Sequence, residues 1–310
     1  MRSMVEKVLL ASPRGFCAGV VRAVAIVERA LERFGLPLYV RREIVHNPHV
    51  VEELRAKGVV FVQELEEVPD GARVVFSAHG VSPTVRRTAE ERGLAVIDAT
   101  CPLVNKVHVE ARRFAGRGYT ILLVGHAGHE EVEGTMGEAP GQMRLVTSPD
   151  DVVRLEVEDP GRVAYLTQTT LSVDDTKDIV EALQERFPGL SGPPSSDICY
   201  ATQNRQEAVR RVAESADLML IVGARNSSNS NRLVEVAARC GIPSYLIGDV
   251  AGIRPEWLEG CTTVGVSSGA SAPERLVQDV CDFFRRNGAV VEEVTARRET
   301  VTFPLPRELQ

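Results

Sequence analysis

The sequence predicts an α/β fold made of three related units. Short runs of β-branched residues alternate with longer helical patterns along almost the whole chain of 310 residues, and this alternation favours parallel sheets with helices on both faces. The alternation repeats three times, and each repeat opens with a strand-like run, a cysteine and a helical pattern. We therefore expect three α/β units of roughly 100 residues each, with small parallel sheets. If these units pack about a pseudo-threefold axis with their loops inward, the polar residues of the loops converge on one cavity.

The first repeat is assigned to residues 1–101. KVLLAS at 7–12 predicts a strand, and the helical pattern of 20–34 ends at Gly35 and Pro37, as glycine and proline usually end helices. The other elements expected in this repeat are strands at 38–45, 59–61 and 73–78 and helices ending at Lys57 and Arg92.

The second and third repeats, at 102–198 and 199–290, follow the same order, with Cys101 at the first boundary. Their strand-like runs and polar loops are ILLVGHAGHEE, VAYLTQTTLS, LMLIVGARNSSNSN and TVGVSSGAS. Residues 191–196 (SGPPSS) are the best candidate for a linker. The tail, 291–310, is expected to be extended because its two prolines exclude a helix; it either packs across another unit and frames the site, or frays.

Composition excludes several classes of protein. The net charge of −7 argues against a nucleic-acid partner. No apolar run approaches the ~18 residues of a membrane span, and the first residues do not resemble a signal peptide. Six cysteines are too few for a disulfide scaffold. We therefore expect a cytoplasmic protein with no membrane partner, in which any functional cysteine is a metal ligand or a nucleophile.

Three cysteines occupy equivalent positions, one in each repeat. Cys17, Cys101 and Cys199 each precede a helical pattern, and a helix N-terminus favours the thiolate. Structural zinc usually takes four ligands, whereas three cysteines suit a 4Fe–4S cluster whose fourth iron stays open for substrate; a catalytic zinc is the less common alternative. The cysteines interpreted as structural are Cys240, Cys261 and Cys281.

Polar residues follow the predicted strands where ligands bind in open parallel sheets, beyond the carboxyl ends of the strands. Each histidine taken alone is more readily a structural loop residue than a functional one, but together these imidazole, hydroxyl and amide groups suit an anion. No Walker loop or dinucleotide fingerprint is present. The candidate binding residues are His46, His79, His129, Thr169, Ser227, Ser228, Asn229 and Ser271.

Glu131 is the carboxylate of this loop set that can act as a proton donor, a role for which burial must raise its pKa. Thr169 is the candidate relay, although it could instead cap a helix, as Ser172 could. His108 falls inside a helical pattern and is expected on the helix surface.

Taken together, these motifs resemble the LytB/IspH family of 4-hydroxy-3-methylbut-2-enyl diphosphate reductases. The resemblance extends over nearly the whole chain, and several of the motifs are distinctive. They are RGFCAGVVRAV, EIVHNPHVVEEL, SAHGVSP, DATCPLV, GHAGHEEVEGTMGE, TQTTLSVDDT, ICYATQNRQEAV, ARNSSNSNRL and SSGASAPE.

The resemblance implies three α/β units in a clover around one 4Fe–4S cluster per chain, held by Cys17, Cys101 and Cys199. It implies reductive dehydroxylation of an allylic diphosphate, the last step of the non-mevalonate isoprenoid pathway. Glu131 would supply the proton with which the hydroxyl leaves as water, and the candidate binding residues would line the pocket, mostly around the diphosphate. Ferredoxin or flavodoxin, with its reductase, would supply electrons.

One residue departs from the family's pattern. Where the family usually has proline between His129 and Glu131, this chain has Glu130. A side chain directed inward would add negative charge near the diphosphate, so we predict that Glu130 points outward.

Two alternatives stay open. A dehydratase of the quinolinate synthase type also uses a three-cysteine cluster, but as a Lewis acid without net reduction. A non-enzymatic iron–sulfur redox sensor or carrier would not need the polar residues. The histidine–glutamate loop and the NSSNSN segment favour the reductase.

Overall fold

The computed structural model describes residues 5–310, which form two compact units. Unit I contains the described residues up to Val20, His46–Val50 and Tyr200–Thr302. Unit II contains Val21–Val45, Val51–Cys199 and Phe303–Gln310.

Strands and helices alternate through the described residues, as the sequence predicts. The strands are β1 (Lys7–Ser12), β2 (Tyr39–Arg41), β3 (Val60–Val62), β4 (Arg73–Phe76), β5 (Ala95–Asp98), β6 (Thr120–Val124), β7 (Met143–Val146), β8 (Val163–Thr167), β9 (Leu218–Val222), β10 (Ser244–Ile247), β11 (Thr263–Ser268) and β12 (Val290–Thr295). The α-helices are α1 (Ala18–Phe34), α2 (Pro48–Ala56), α3 (Pro83–Glu91), α4 (Pro102–Ala115), α5 (Glu130–Met136), α6 (Pro149–Arg154), α7 (Val173–Arg186), α8 (Tyr200–Ala213), α9 (Ser228–Arg239) and α10 (Glu274–Arg286). Short 3-10 turns lie at Leu65–Glu67, Val250–Gly252, Pro255–Leu258 and Arg307–Leu309.

Unit I is built on one five-stranded sheet with the order β10-β9-β11-β1-β12. All of its pairings are parallel. Side chains alternate between the two faces of β1, so that Val8 and Leu10 pack into one apolar cluster and Leu9 and Ala11 into another. Both faces are therefore buried, as parallel sheets require.

Unit II contains two smaller parallel sheets, ordered β3-β2-β4-β5 and β7-β6-β8. Fully buried apolar side chains of β6, such as Ile121 and Leu122, alternate between two core clusters on opposite faces. The predicted α/β fold with three small parallel sheets is thus confirmed.

Sheet membership does not follow chain order at the ends of the chain. β1, which opens the first predicted repeat, pairs with β11 and β12, and β12 comes from the end of the third repeat and the start of the tail. The ranges 1–101, 102–198, 199–290 and 291–310 stay a prediction.

The segment interpreted as a linker is part of unit II. Ser191 pairs with Ala164 of β8 as an isolated parallel bridge, and the Ser191 N–H donates to the carbonyl of Val163. The first residue of the segment is thus tied to β8, a contact that a composition rich in serine and proline does not indicate. The interpretation of 191–196 as a linker stays a prediction.

The tail is held at two points along its length. In unit I, Glu299 pairs with Arg205 (3.0 Å), and in unit II the Arg22 side chain donates to the carbonyl of Pro304 (2.8 Å). The alternative of a frayed terminus is therefore wrong for these residues. Among the described residues, no helix is long and apolar enough to cross a membrane.

The end of β5 leads directly into the turn before Cys101. There the Asp98 carboxylate accepts hydrogen bonds from the backbone N–H (2.9 Å) and hydroxyl of Thr100 and from Arg86 (2.8 Å). Burial alone would raise the pKa of Asp98, but the charge of Arg86 and the Thr100 hydrogen bonds lower it below its usual value. The ionised form therefore stabilises the folded chain above about pH 4, and this contribution is lost as the pH falls through the lowered pKa.

We expect Asp98→Asn to lower the free energy of unfolding at pH 7 by about 1 kcal/mol, because the ion pair is half-exposed and screened. Chemical denaturation between pH 3 and pH 7 should show this difference shrinking below about pH 4. Asp279→Asn, on the exposed face of α10, is the matched control. A difference that stays constant across this pH range would contradict the assignment.

Candidate active site

Glu131 and Thr169 are in direct contact in unit II. The carboxyl group of Glu131, in the first turn of α5, is buried. Its Oε1 accepts the backbone N–H of Thr169 at 2.6 Å, and its Oε2 accepts the Thr169 hydroxyl at 2.9 Å. Ser172 supplies the N-cap of α7, so the Thr169 hydroxyl is committed to Glu131 and not to a cap. The two residues predicted as proton donor and relay thus form one buried pair.

His129 and His79 lie on neighbouring loops of the same unit. His129 is the N-cap of α5, and its Nδ1 accepts the backbone N–H of Glu131 at 3.1 Å. The rings of His79 and His129 meet edge to face with their centroids 5.9 Å apart. His79 and His129, predicted for the first and second repeats, therefore both border the Glu131 helix in unit II.

Glu130 does not point outward. Its Oε2 lies 3.3 Å from Nδ1 of His79, and the Glu130 side chain is only 17% exposed. The prediction was wrong because Glu130 is the first residue of α5, where its carboxylate is near the positive end of the helix and within reach of an imidazole. Negative charge is thus placed beside a residue predicted to bind the substrate.

Cys101 and Cys199 are each joined to one of these loops by a backbone hydrogen bond. The N–H of Cys101 donates to the carbonyl of Ala78, next to His79, at 2.9 Å. The N–H of Cys199 donates to the carbonyl of Thr169 at 3.0 Å. Unit II therefore brings two predicted cluster ligands to the loops that carry His79 and the Glu131–Thr169 pair.

Unit I assembles a second set of predicted residues around the loop after β11. The N–H of Cys17 donates to the carbonyl of Ala270 (3.3 Å), and the N–H of Ala270 donates to Oδ1 of Asn229 (2.9 Å). The hydroxyl of Ser271 donates to the backbone carbonyl of His46 (2.9 Å). Cys17, His46, Asn229 and Ser271 thus share one hydrogen-bonded loop region.

The start of α9 is packed around Ser230. The Ser227 hydroxyl caps this helix by accepting from the N–H (3.3 Å) and hydroxyl (3.0 Å) of Ser230, and half-buried Ser228 is the first helical residue. A Cβ atom added at Gly223 or Gly269 would come within 2.2 or 2.0 Å of Ser230 Oγ. Glycine at both positions therefore lets the backbone lie close to Ser230 at the start of α9. The N-terminus of this 12-residue helix lies beside Ser227 and Asn229.

The three predicted cluster ligands have the surroundings expected of thiolate ligands. A helix begins immediately after each one, with α1 after Cys17, α4 after Cys101 and α8 after Cys199. All three side chains are half-buried, which allows access while limiting water. Each of these cysteines thus suits the role of a cluster ligand, since helix N-termini favour thiolates and thiolates ligate iron–sulfur clusters.

The other three cysteines have different surroundings. Burial raises the pKa of the Cys281 thiol and, together with the charge of Asp217, that of the Cys261 thiol. Cys240 is exposed at the C-terminal end of α9, where the helix dipole disfavours a thiolate. All six cysteines lie within the described residues, and none forms a disulfide.

His108 is not on the surface of its helix. It is 2% exposed, and its Nδ1 lies 2.7 Å from Oε1 of Glu138. Its Nε2 would be 3.0 Å from a Cβ added at Gly80, so it packs behind the loop that carries His79. The prediction was wrong because a buried carboxylate partner from a distant segment has no local sequence signal.

Arg205 and Tyr200 contact the segment around Cys17, and the sequence interpretation assigns neither of them a role. Arg205 on α8 is fully buried and donates to the carbonyl of Gly15 at 2.7 Å. The Tyr200 oxygen accepts the N–H of Ala18 at 3.3 Å; burial and the nearby Cys17 raise the pKa of Tyr200 to about 12, so the phenol stays protonated. Both side chains fix the segment around Cys17. A signal for Arg205 was present in the sequence: it shares a helix face with the small and apolar residues Ala201, Ala208, Val209 and Val212, all of which are buried.

The chain is similar to known proteins in both sequence and structure. The family described as LytB protein matches residues 8–285. A 4-hydroxy-3-methylbut-2-enyl diphosphate reductase of Ralstonia nicotianae is 58% identical over 305 residues, which are 98% of this chain and 94% of the relative. The enzyme of the same name from Leifsonia xyli is 59% identical, with coverage of 98% and 91%. The solved structure of E-1-hydroxy-2-methyl-but-2-enyl-4-diphosphate reductase from Plasmodium falciparum matches with a TM-score of 0.95 and 38% identity, over 98% of this chain and 97% of the other.

We expect Glu130→Pro to change the free energy of unfolding by less than about 1 kcal/mol, because proline is tolerated at the first helical position. The preceding residue, His129, already has φ −80° and ψ 135°, which suit a residue before proline. Glu133→Pro, in contrast, loses the hydrogen bond from Glu133 N–H to the His129 carbonyl and should cost about 3 kcal/mol.

Urea denaturation of both variants measures this difference. Glu133→Ala is the matched control, because it removes only the ion pair of Glu133 with Arg42. Equal losses for the two proline variants would show that α5 does not begin at Glu130.

Proposed function

Because the chain belongs to the LytB protein family, we propose that it reduces 4-hydroxy-3-methylbut-2-enyl diphosphate in the last step of the non-mevalonate isoprenoid pathway. The observation that carries the proposal is the buried carboxyl group of Glu131, whose two oxygens are both held by Thr169. Such a carboxyl group has a fixed orientation from which to exchange a proton with a substrate hydroxyl.

The reaction consumes two electrons and two protons. The allylic C–O bond breaks, the hydroxyl leaves as water, and a proton is added to the allylic carbon skeleton to give isopentenyl or dimethylallyl diphosphate. Cys17, Cys101 and Cys199 would hold one 4Fe–4S cluster per chain, which supplies the electrons and a Lewis-acidic iron when bound. A small donor protein such as ferredoxin or flavodoxin, with its reductase, would deliver the electrons, and we place the enzyme in the reducing cytoplasm.

Glu131 delivers the proton that converts the leaving hydroxyl into water. The Thr169 hydroxyl, in contact with Oε2 of Glu131, relays a proton to or from that carboxyl group. His129 orients the pair, since its ring accepts the backbone N–H of Glu131.

The diphosphate is bound by neutral donors in this proposal. Ser227 and Ser228 lie at the N-terminus of α9, where backbone N–H groups and the helix dipole attract anions. The other binding residues of the proposal contribute imidazole, amide and hydroxyl donors, and they are His46, His79, His129, Thr169, Asn229 and Ser271.

We expect Glu131→Gln to reduce kcat by about 10²- to 10⁴-fold, the usual contribution of a general acid, with a much smaller change in KM. The assay follows oxidation of a chemical reductant together with the isoprenoid products, under anaerobic conditions. Glu133→Gln, in the same helix but half-exposed, is the matched control. Near-normal turnover of Glu131→Gln would remove its role as acid.

The same assay separates the alternatives. A dehydratase would convert its substrate without consuming reductant, and a redox sensor would consume reductant without forming product.

We expect anaerobically purified protein to be brown and to contain iron and sulfide, and serine at Cys17, Cys101 or Cys199 to remove most of both. Cys240→Ser should leave them unchanged, because this thiol lies at the unfavourable end of its helix. Iron and sulfide assays with the visible absorption spectrum test this. Full colour in all three single variants would overturn the ligand assignment.

A further inference from the structure

We infer that Lys106 is a positioning residue that fixes the segment before Cys199 against the helix that begins after Cys101. This inference rests on the proposed function, in which both cysteines bind the cluster. It concerns unit II alone, where α4 and the residues up to Cys199 both lie.

Lys106 uses its three N–H donors on one short segment. Its Nζ is 2.9 Å from the carbonyl oxygen of Ser195, 3.1 Å from that of Ser196 and 3.1 Å from Oδ1 of Asp197. An ammonium group has three donors, so this contact engages its full capacity. The side chain thus binds three successive residues, ending two positions before Cys199.

The segment needs an external donor because of its sequence. Residues 191–196 include Pro193 and Pro194, which have no N–H group and cannot take part in a helix interior. The carbonyl groups of Ser195 and Ser196 therefore receive donors from Lys106 instead of from a regular helix.

Asp197 holds the opposite side of the same segment. Its side chain is fully buried, and its Oδ2 accepts the backbone N–H of Thr167, the last residue of β8, at 3.1 Å. Two residues later, the N–H of Cys199 donates to the carbonyl of Thr169. The approach to Cys199 is thus fixed both to α4, by Lys106, and to the strand end that leads to the Glu131–Thr169 pair.

Lys106 also compensates buried negative charge. Besides Asp197 it faces Glu110, whose Oε1 is 4.0 Å from Nζ and whose side chain is 8% exposed. Removing one partner from a buried ion pair leaves an uncompensated charge, which is far more disruptive than the loss of an exposed pair. Loss of the ammonium group should therefore displace the segment.

The position of Lys106 makes this contact relevant to Cys101. Lys106 lies on α4, five positions after Cys101, the N-cap of that helix, which corresponds to a rise of about 7.5 Å. Because metal–ligand distances tolerate only about 0.2 Å, movement of the segment before Cys199 relative to α4 would disturb a cluster bound by both thiolates. Lys106 therefore acts on the cluster through the cysteines and does not touch the substrate.

The test compares Lys106→Met, Lys106→Arg and the control Lys177→Met in the anaerobically purified full chain. Lys177 pairs with Glu181 on an exposed face of α7 in the same unit. Two measurements are made on each protein: amide hydrogen exchange of peptides covering 191–199, and iron content with the electron paramagnetic resonance spectrum of the reduced cluster.

We expect exchange at 195–199 to be at least about tenfold faster in Lys106→Met, with iron reduced at least twofold or the resonance spectrum changed. Lys106→Arg keeps a cation but has a planar donor fork, so its values should be intermediate. Lys177→Met should match the wild type. If Lys106→Met does not fold, the same two measurements are compared between Lys106→Arg and Lys177→Met.

Wild-type exchange at 195–199 in both Lys106 variants would overturn the inference. Faster exchange with unchanged iron and an unchanged spectrum would also overturn it, because the residue would then support the segment without positioning a ligand. Absence of iron from the wild-type protein would instead overturn the proposed cluster. The iron assay of the wild type therefore distinguishes failure of the proposed function from failure of the inference about Lys106.

Discussion

The parallel direction of the strands is the constraint on which the rest of the structure depends. Every strand pairing in the described part of the chain is parallel, so the carboxyl ends of neighbouring strands lie at the same edge of each sheet. In unit II the loops after β6 and β8 therefore meet, and Glu131 from one contacts Thr169 from the other. Glu131 and Thr169 are 38 residues apart in the sequence, and the order and direction of the strands place them in contact.

This explains why much of the site could be predicted from the sequence. Glu131 and Thr169 are predicted because each follows a strand-like run, and the three cluster cysteines because each precedes a helical pattern at an equivalent position of a repeat. Such patterns are local properties of the sequence. Their contacts then follow from the topology. The predictions for Glu130 and His108 were wrong because each side chain is oriented by a partner from a different segment. Glu130 is oriented by His79, and His108 by Glu138.

Strand pairing is less predictable than strand existence. The three repeats look alike in sequence, yet β1 joins β11 and β12 instead of staying with the strands that follow it. Two parallel strands need a crossover connection, but the length of that connection is not fixed. The alternation of strands and helices is therefore equally compatible with β1 pairing inside its own repeat and with β1 pairing with β11 and β12. The SGPPSS segment shows the same limit, since its composition resembles that of a linker while Lys106 and β8 hold its backbone in place.

The distribution of cations explains how an acidic chain can bind a diphosphate. The buried or half-buried cations near the proposed site are already bound by local acceptors: Arg205 by Glu299 and the Gly15 carbonyl, Lys106 by Asp197, and Arg42 by Glu64 and Glu133. Their charge stabilises the protein and is not available to the substrate. In the proposed function, anion binding would depend on neutral donors and on the N-terminus of α9, which need no buried counter-charge. One of the proposed donors, His79, lies beside a carboxylate, since Oε2 of Glu130 is 3.3 Å from its Nδ1.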